Sequence, residues 1–203
     1  MKMFFMNPVA AAALMMLSGT ALAQTTIVTA TTDLNVRAGP GPQYPVVTVL
    51  GANQRAAIEG CLQNSKWCQV TIGGMQGWAY SDYLVATIDN RTVVMTERRP
   101  ALPSVTYEQT TSIAPDVDGR LIGHVGEGGM IEPIAPPPPP VRTYVLSNEV
   151  DPVYLEGEVV VGATLPETVH IREIPDYEYR YVYVNNQPVL VEPRTRRIIY
   201  VMR

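Results

Sequence analysis

Leu34-Asn35-Val36-Arg37-Ala38-Gly39-Pro40-Gly41-Pro42 is the stretch whose reading decides the fold. Leu34 and Val36 alternate with Asn35 and Arg37, so the segment has the period of a half-buried strand with one apolar and one polar face. Residues 38–42 end it. Gly39 and Gly41 can take positive φ, while Pro40 and Pro42 fix φ and withdraw backbone donors. A strand therefore runs abruptly into a stiff, exposed loop with Tyr44 at its far end. Small β-barrels use such a junction far more often than enzymes do.

Working outward, short apolar or alternating runs recur at 27–30, 46–50, 56–61, 67–72 and 76–80. Turn chemistry separates them at Thr32-Asp33, Gly51-Ala52-Asn53 and Gly73-Gly74. Short, evenly spaced strands without helical periodicity predict a barrel or sandwich over residues 24–86. Cys61 and Cys68, the only two cysteines, bracket a polar turn between two such runs. A disulfide closing that hairpin is geometrically natural and persists in an oxidising compartment. It would contribute about 2–3 kcal/mol, and a unit of about 60 residues, which buries only some 60% of its unfolded surface, profits from such a staple. The alternative, a reactive thiol, has Lys66 as its single basic neighbour. Neither histidine lies near enough in sequence to complete a metal site.

Several of these pieces together resemble the bacterial SH3-like (SH3b) family: LNVRAGPG at 34–41, Gly60-Cys61, Trp67-Cys68-Gln69-Val70, Gly77-Trp78-Ala79 and Tyr83-Leu84-Val85. The resemblance covers about 60 residues. It implies a non-catalytic β-barrel of an exported protein, acting on or near the cell wall. Members attached to hydrolases hold peptidoglycan or its peptides, and others bind proteins, so the resemblance specifies the fold better than the ligand.

The residues themselves offer a ligand face. Trp67 shares its strand face with Gln69 and Thr71, opposite Cys68, Val70 and Ile72, and is expected to point outward. Tyr44, Tyr80 and Tyr83 fall near loops or strand ends, where a ring presents a flat apolar face and a polar tip. Arg37, on the polar side of its strand, is placed to pair with a peptide carboxylate. The candidate ligand-binding set is therefore Arg37, Tyr44, Trp67, Tyr80 and Tyr83. The competing expectation is that these rings cover the ends of a small core and Arg37 caps loop carbonyls. Trp78, following Gly77 in an apolar run, reads as core.

The N-terminus reads as an address. One positive charge at Lys2 precedes an apolar run to Leu17, and Ala21-Leu22-Ala23 has the form of a signal-peptidase site. Asn7-Pro8 interrupts the run, which is shorter than the ~20 residues of a membrane span. Residues 1–23 are expected to be removed on export to the periplasm or beyond, leaving no membrane span.

Residues 87–141 are expected to be mostly a flexible Gly/Pro-rich linker. Thr92-Val93-Val94-Met95 could form a short strand. The glycines of 119–129 lack the strand-helix frame of a phosphate loop, and Asp116-Val117-Asp118-Gly119 lacks the later ligands of a calcium loop. His124 stands without partners. Pro136–Pro140 predicts a polyproline II strut of about 15 Å.

Order is expected to return over residues 142–203. Alternating runs at 179–184, 189–191 and 198–201, with turns at 185–188 and 193–196, predict a three-stranded antiparallel meander. Further strands are expected at 157–161 and 168–171. The stretch from Leu165-Pro166 to Val201 resembles domain of unknown function 1236, a family found in exported bacterial proteins. Opposite charges in this unit read as cross-strand pairs, and His170 as an ordinary strand residue.

The formal net charge is −4, which gives no support to nucleic-acid binding. Residues 87–156 hold five basic against ten acidic side chains, as a solvated connection would. With two isolated histidines, no nucleophile-base pair or metal cluster can be assembled from the sequence. The expectation is thus an exported, all-β, non-catalytic binding protein of the cell envelope, without cofactor. Its partner would be a peptidoglycan-stem peptide or a protein surface. The alternatives are a structural or stress-related envelope protein and, more remotely, an accessory subunit of a cell-wall hydrolase.

Overall fold

A computed structural model of the chain describes residues 26–107, 119–121 and 135–203. The expected export signal at 1–23 lies outside the described residues, as do His124 and nearly all of the Asp116-to-Gly129 region. β1 (Thr26–Ala30), β2 (Leu34–Arg37), β3 (Val46–Leu50), β4 (Arg55–Cys61), β5 (Trp67–Ile72), β6 (Met75–Tyr80), β7 (Leu84–Ile88) and β8 (Arg91–Val94) form one antiparallel sheet. Its order is β3-β2-β6-β5-β4-β1-β7-β8. The sheet curls so that Val28, Leu34, Val36, Leu50, Val70, Ala79 and Leu84, from strands at both ends of that order, share one core. The six strands expected before residue 86 are present to within one residue.

The first sheet does not stop at residue 86. Asp89 and Asn90 take φ of 49° and 61° and close a two-residue hairpin between β7 and β8. Positive φ at both central residues gives the turn that matches strand twist. Met95 opens a short helix, α1 (Met95–Arg98), and is fully buried in the barrel core. A 3-10 turn (Arg99–Ala101) follows, and residues 102–107 then run back over the barrel.

Pro136–Pro140 is only in part the expected strut. Pro138 is extended, with φ −52° and ψ 146°, but Pro139 and Pro140 form the first turn of α2 (Pro139–Ser147). The first turn of a helix leaves its N–H groups unbonded in any case, so proline costs nothing there. Val141 and Val145, one turn apart, are the buried residues of α2.

The second sheet comprises β9 (Arg172–Glu173), β10 (Arg180–Val184), β11 (Gln187–Glu192) and β12 (Arg197–Val201), in the order β12-β11-β10-β9. The expected meander is therefore present, with a two-residue turn at Asn185 (φ 51°) and Asn186 (φ 65°). One face, Tyr181, Tyr183, Leu190 and Ile199, packs on Val141 and Val145 of α2. The other, Val182, Val184, Val189, Val191 and Ile198, belongs to the same core as the barrel. The strands expected at 157–161 and 168–171 do not form. Glu158, Val159 and Val160 are instead buried irregular chain packed between the two sheets. No helix among the described residues is long and apolar enough to cross a membrane.

Candidate functional site

β2 is buried on both faces. Leu34 and Val36 point into the barrel core, and the polar side, Asn35 and Arg37, is covered by residues from the C-terminal half. Arg37 is 1% exposed. Its Nε donates to Glu158 Oε2 at 2.5 Å and its Nη2 to Glu158 Oε1 at 2.7 Å, a two-pronged pair with a carboxylate that is itself fully buried. Its Nη1 donates to the carbonyls of Pro42 (3.0 Å) and Tyr44 (2.7 Å). Asn35 Nδ2 donates to Glu158 Oε1 (2.9 Å) and Gln187 Oε1 (2.8 Å), and the Val159 N–H donates to Glu158 Oε1 (2.8 Å). Arg37 is thus no ligand residue. It caps the Gly-Pro loop and clamps Glu158, and every oxygen of that carboxylate is engaged, as a buried charge requires.

The expected aromatic face is also occupied from within. Alternation sets Trp67 on the side of β5 opposite Cys68 and Val70, and the pairing of β5 with β6 brings Tyr80 and Trp78 to that side, with Trp67 across from Tyr80 and Gln69 across from Trp78. That side is not solvent. Trp67 is 3% exposed, Tyr80 3% and Tyr83 5%. Trp67 stands edge-on to Tyr80 at 5.3 Å, and Tyr80 lies 6.3 Å from Tyr83. Leu121 and Leu155 share their core, and the Tyr80 ring passes 4.0 Å from where a side chain at Gly157 would begin. Burial, then the charges of Asp82 and Glu156, push the Tyr80 hydroxyl up to about 12, with Arg120 acting the other way. Burial pushes Tyr83 further up still. Lys66 sits 5.9 Å over the Tyr80 ring and 2.8 Å from Asp82. Trp67, Tyr80 and Tyr83 are therefore core residues, because the chain's own C-terminal half lies over them.

Tyr44 is the one expected ligand residue left half-buried. Its ring meets that of Tyr107 edge-on at 5.7 Å, and Tyr107 meets Trp78 edge-on at 5.5 Å. Desolvation, then the bond to the Tyr44 hydroxyl, raises the Tyr107 hydroxyl above its ordinary value. Tyr107 follows residues laid against the end of β4. The Cys61 N–H donates to Pro103 O (2.9 Å) and the Val105 N–H to Cys61 O (3.1 Å), with Ser104 paired in parallel to Cys61. Gly60 permits this approach: a Cβ there would stand 2.6 Å from Val105 Cγ1 and 2.7 Å from Pro103 O. Sequence reasoning missed Tyr107 and Val105. Their signal was two apolar residues at strand spacing after Pro103, set in a region read as connection.

Cys61 and Cys68 face each other across β4 and β5 and are joined, with sulfurs 2.01 Å and Cα atoms 4.0 Å apart. Elsewhere, a shallow groove of about 630 Å³ lies beside the β9 edge, lined by Tyr144, Asn148, Arg172, Glu173 and Arg180 among others. Its charges are in part self-neutralised, since Arg180 pairs with Glu173 at 2.6 Å. A second hollow of about 440 Å³ next to it includes the exposed His170.

The arrangement is one of extended chain held by backbone pairing, with a ring seated among rings. Residues 32–85 match the family described as bacterial SH3 domain. Residues 144–203 match the family described as Domain of unknown function (DUF1236). No curated protein and no solved structure matches the chain. With the strand order and the paired sheets in view, residues 32–85 are similar to bacterial SH3 domains and residues 144–203 to DUF1236, as the sequence resemblances imply.

Proposed function

We propose that this chain is an exported, non-catalytic binding protein of the cell envelope, and that its SH3 domain holds a peptide-like segment. The observation that carries this reading is the extended run of residues 102–107, held on the barrel through the backbone of Cys61 and the rings of Trp78 and Tyr44. Bacterial SH3 domains are wall- or protein-binding modules, which agrees in kind. A cross-strand disulfide fits an oxidising compartment.

The test uses the chain without residues 1–23, incubated with purified peptidoglycan sacculi and, separately, with washed envelope proteins. Retention on one of the two is the expected result, and retention on neither overturns the reading. Clearing of a peptidoglycan gel would overturn the non-catalytic part. Intact mass with and without reductant, taken on protein from the culture, reports both export and the disulfide.

A further inference from the structure

Residues 102–107 sit on the barrel as a partner strand would. Among the described residues β1 pairs with β4 as far as Ile58, which leaves the backbone of Cys61 as an edge for a further strand. The segment fills it, taking one main-chain bond from the Cys61 N–H and giving one to the Cys61 carbonyl. Extended chain sends every second side chain to the same side. Val105 accordingly rests against Gly60, and Tyr107, two residues on, stands edge-on to both Tyr44 and Trp78. Main-chain pairing for hold and alternate side chains for selectivity are the two components of recognition by strand addition. The hold is light: Val105 is only half-buried and Tyr107 is 37% exposed.

We propose that the track from Cys61 to Tyr44 is a docking site for an extended protein segment with a β-branched residue and, two positions on, an aromatic one. In this chain residues 102–107 occupy that site until such a segment displaces them. The proposal rests on the binding reading above and narrows it. A peptidoglycan stem offers carboxylates, and the arginine expected from the sequence to receive one, Arg37, is committed to Glu158. What the track presents is backbone and rings, which suit a protein segment. A tethered competitor acts at an effective concentration of order millimolar, so an incoming segment has to bind the bare site more tightly than that to win.

The experiment measures fluorescence anisotropy of a labelled peptide, Leu-Pro-Ser-Val-Thr-Tyr, the sequence of residues 102–107. The receptors are the full chain lacking residues 1–23 and the same chain with residues 103–107 replaced by an equal length of Gly and Ser. The replaced chain is expected to bind at least ~10-fold more tightly than the parent, in keeping with release of a tethered competitor. A peptide ending in Ala in place of Tyr should lose that binding, and Gly60→Val in the replaced chain should abolish it. Equal affinity of parent and replaced chain, with near-UV circular dichroism unchanged, overturns the proposal, as does binding indifferent to Gly60→Val. Should the replaced chain fail to fold, Tyr107→Ala takes its place. In either case, hydrogen exchange at the Val105 amide of the parent must speed up in excess peptide, and an unmoved rate is a negative result. Peptide binding without envelope retention would leave this site standing and remove the envelope reading. Retention on envelope proteins without any binding of the peptide by the replaced chain would do the reverse.

Discussion

At the scale of single residues, Glu158 decides whether β2 can be buried on both sides. Glu158→Ala leaves the Arg37 guanidinium without its carboxylate in a site closed to water, and a charge stranded in this way costs about 3–5 kcal/mol. Urea unfolding should show that loss, and an Arg37→Ala, Glu158→Ala double variant should lose less than the sum of the singles. Glu173→Ala, which breaks the exposed pair with Arg180, should cost no more than about 1 kcal/mol in the same assay. Tyr80 gives a pH dependence of known sign. Its hydroxyl ionises near 12 in the fold against 10 in the ordinary case, so the fold holds the protonated form. The stability that this group contributes is full below pH 10 and is lost as pH rises through about 12. Tyrosinate absorbance followed together with circular dichroism should show Tyr80 ionising with unfolding, and Tyr80→Phe should move the alkaline transition to higher pH. Arg37 was misassigned at this scale for a plain reason. Alternation places a side chain on the polar side of a strand, but it does not reveal that a carboxylate 121 residues away will close over it.

At the scale of elements, the turns are where sequence and structure agree most closely. Asn185-Asn186 was legible as a turn because asparagine tolerates the left-handed region that a two-residue hairpin demands. Asp89-Asn90 carries the same chemistry and was passed over, since the flanking runs are short and the region reads as connection. Asn185 does more than turn the chain: its Oδ1 accepts from the Leu155 N–H at 2.8 Å and its Nδ2 donates to Leu155 O at 3.1 Å. Asn185→Gly keeps the backbone shape and loses those bonds and a longer one from Nδ2 to Gly157 O (3.4 Å), a cost of about 1–3 kcal/mol. Asn185→Ala adds the left-handed penalty of about 1–2 kcal/mol. Thermal melts of the two variants should rank in that order, with Asn186→Gly close to the parent. Two elements escaped the sequence. The prolines of α2 hid a helix because a first turn accepts them, and residues 102–107 hid a strand-like segment because its partner, Cys61, lies some forty positions back. Periodicity describes one element at a time and carries no information about such a pairing.

At the scale of the whole molecule, the two family matches meet in one apolar core. Val182, Val184, Val191 and Ile198 of the second sheet belong to the same buried cluster as Leu34, Trp67 and Tyr80 of the first. Urea unfolding followed at once by tryptophan fluorescence, whose reporters lie only in the barrel, and by far-UV circular dichroism should therefore give a single coincident transition. Two separated transitions would contradict the shared core. Composition pointed the other way, toward small independent units on a proline-rich tether, because proline and glycine content reports where regular structure breaks and not whether the pieces on either side touch. The aromatic face illustrates the same gap. Its side of the sheet was deducible from Trp67 and Cys68, while its covering comes from elsewhere in the chain. The bond between Arg37 and Glu158 also bears on protein engineering. A chimera that transplants a foreign SH3 module onto this DUF1236 half, without an arginine at the position of Arg37, would inherit an orphaned anion at its seam, so the two modules have to be exchanged as a matched set.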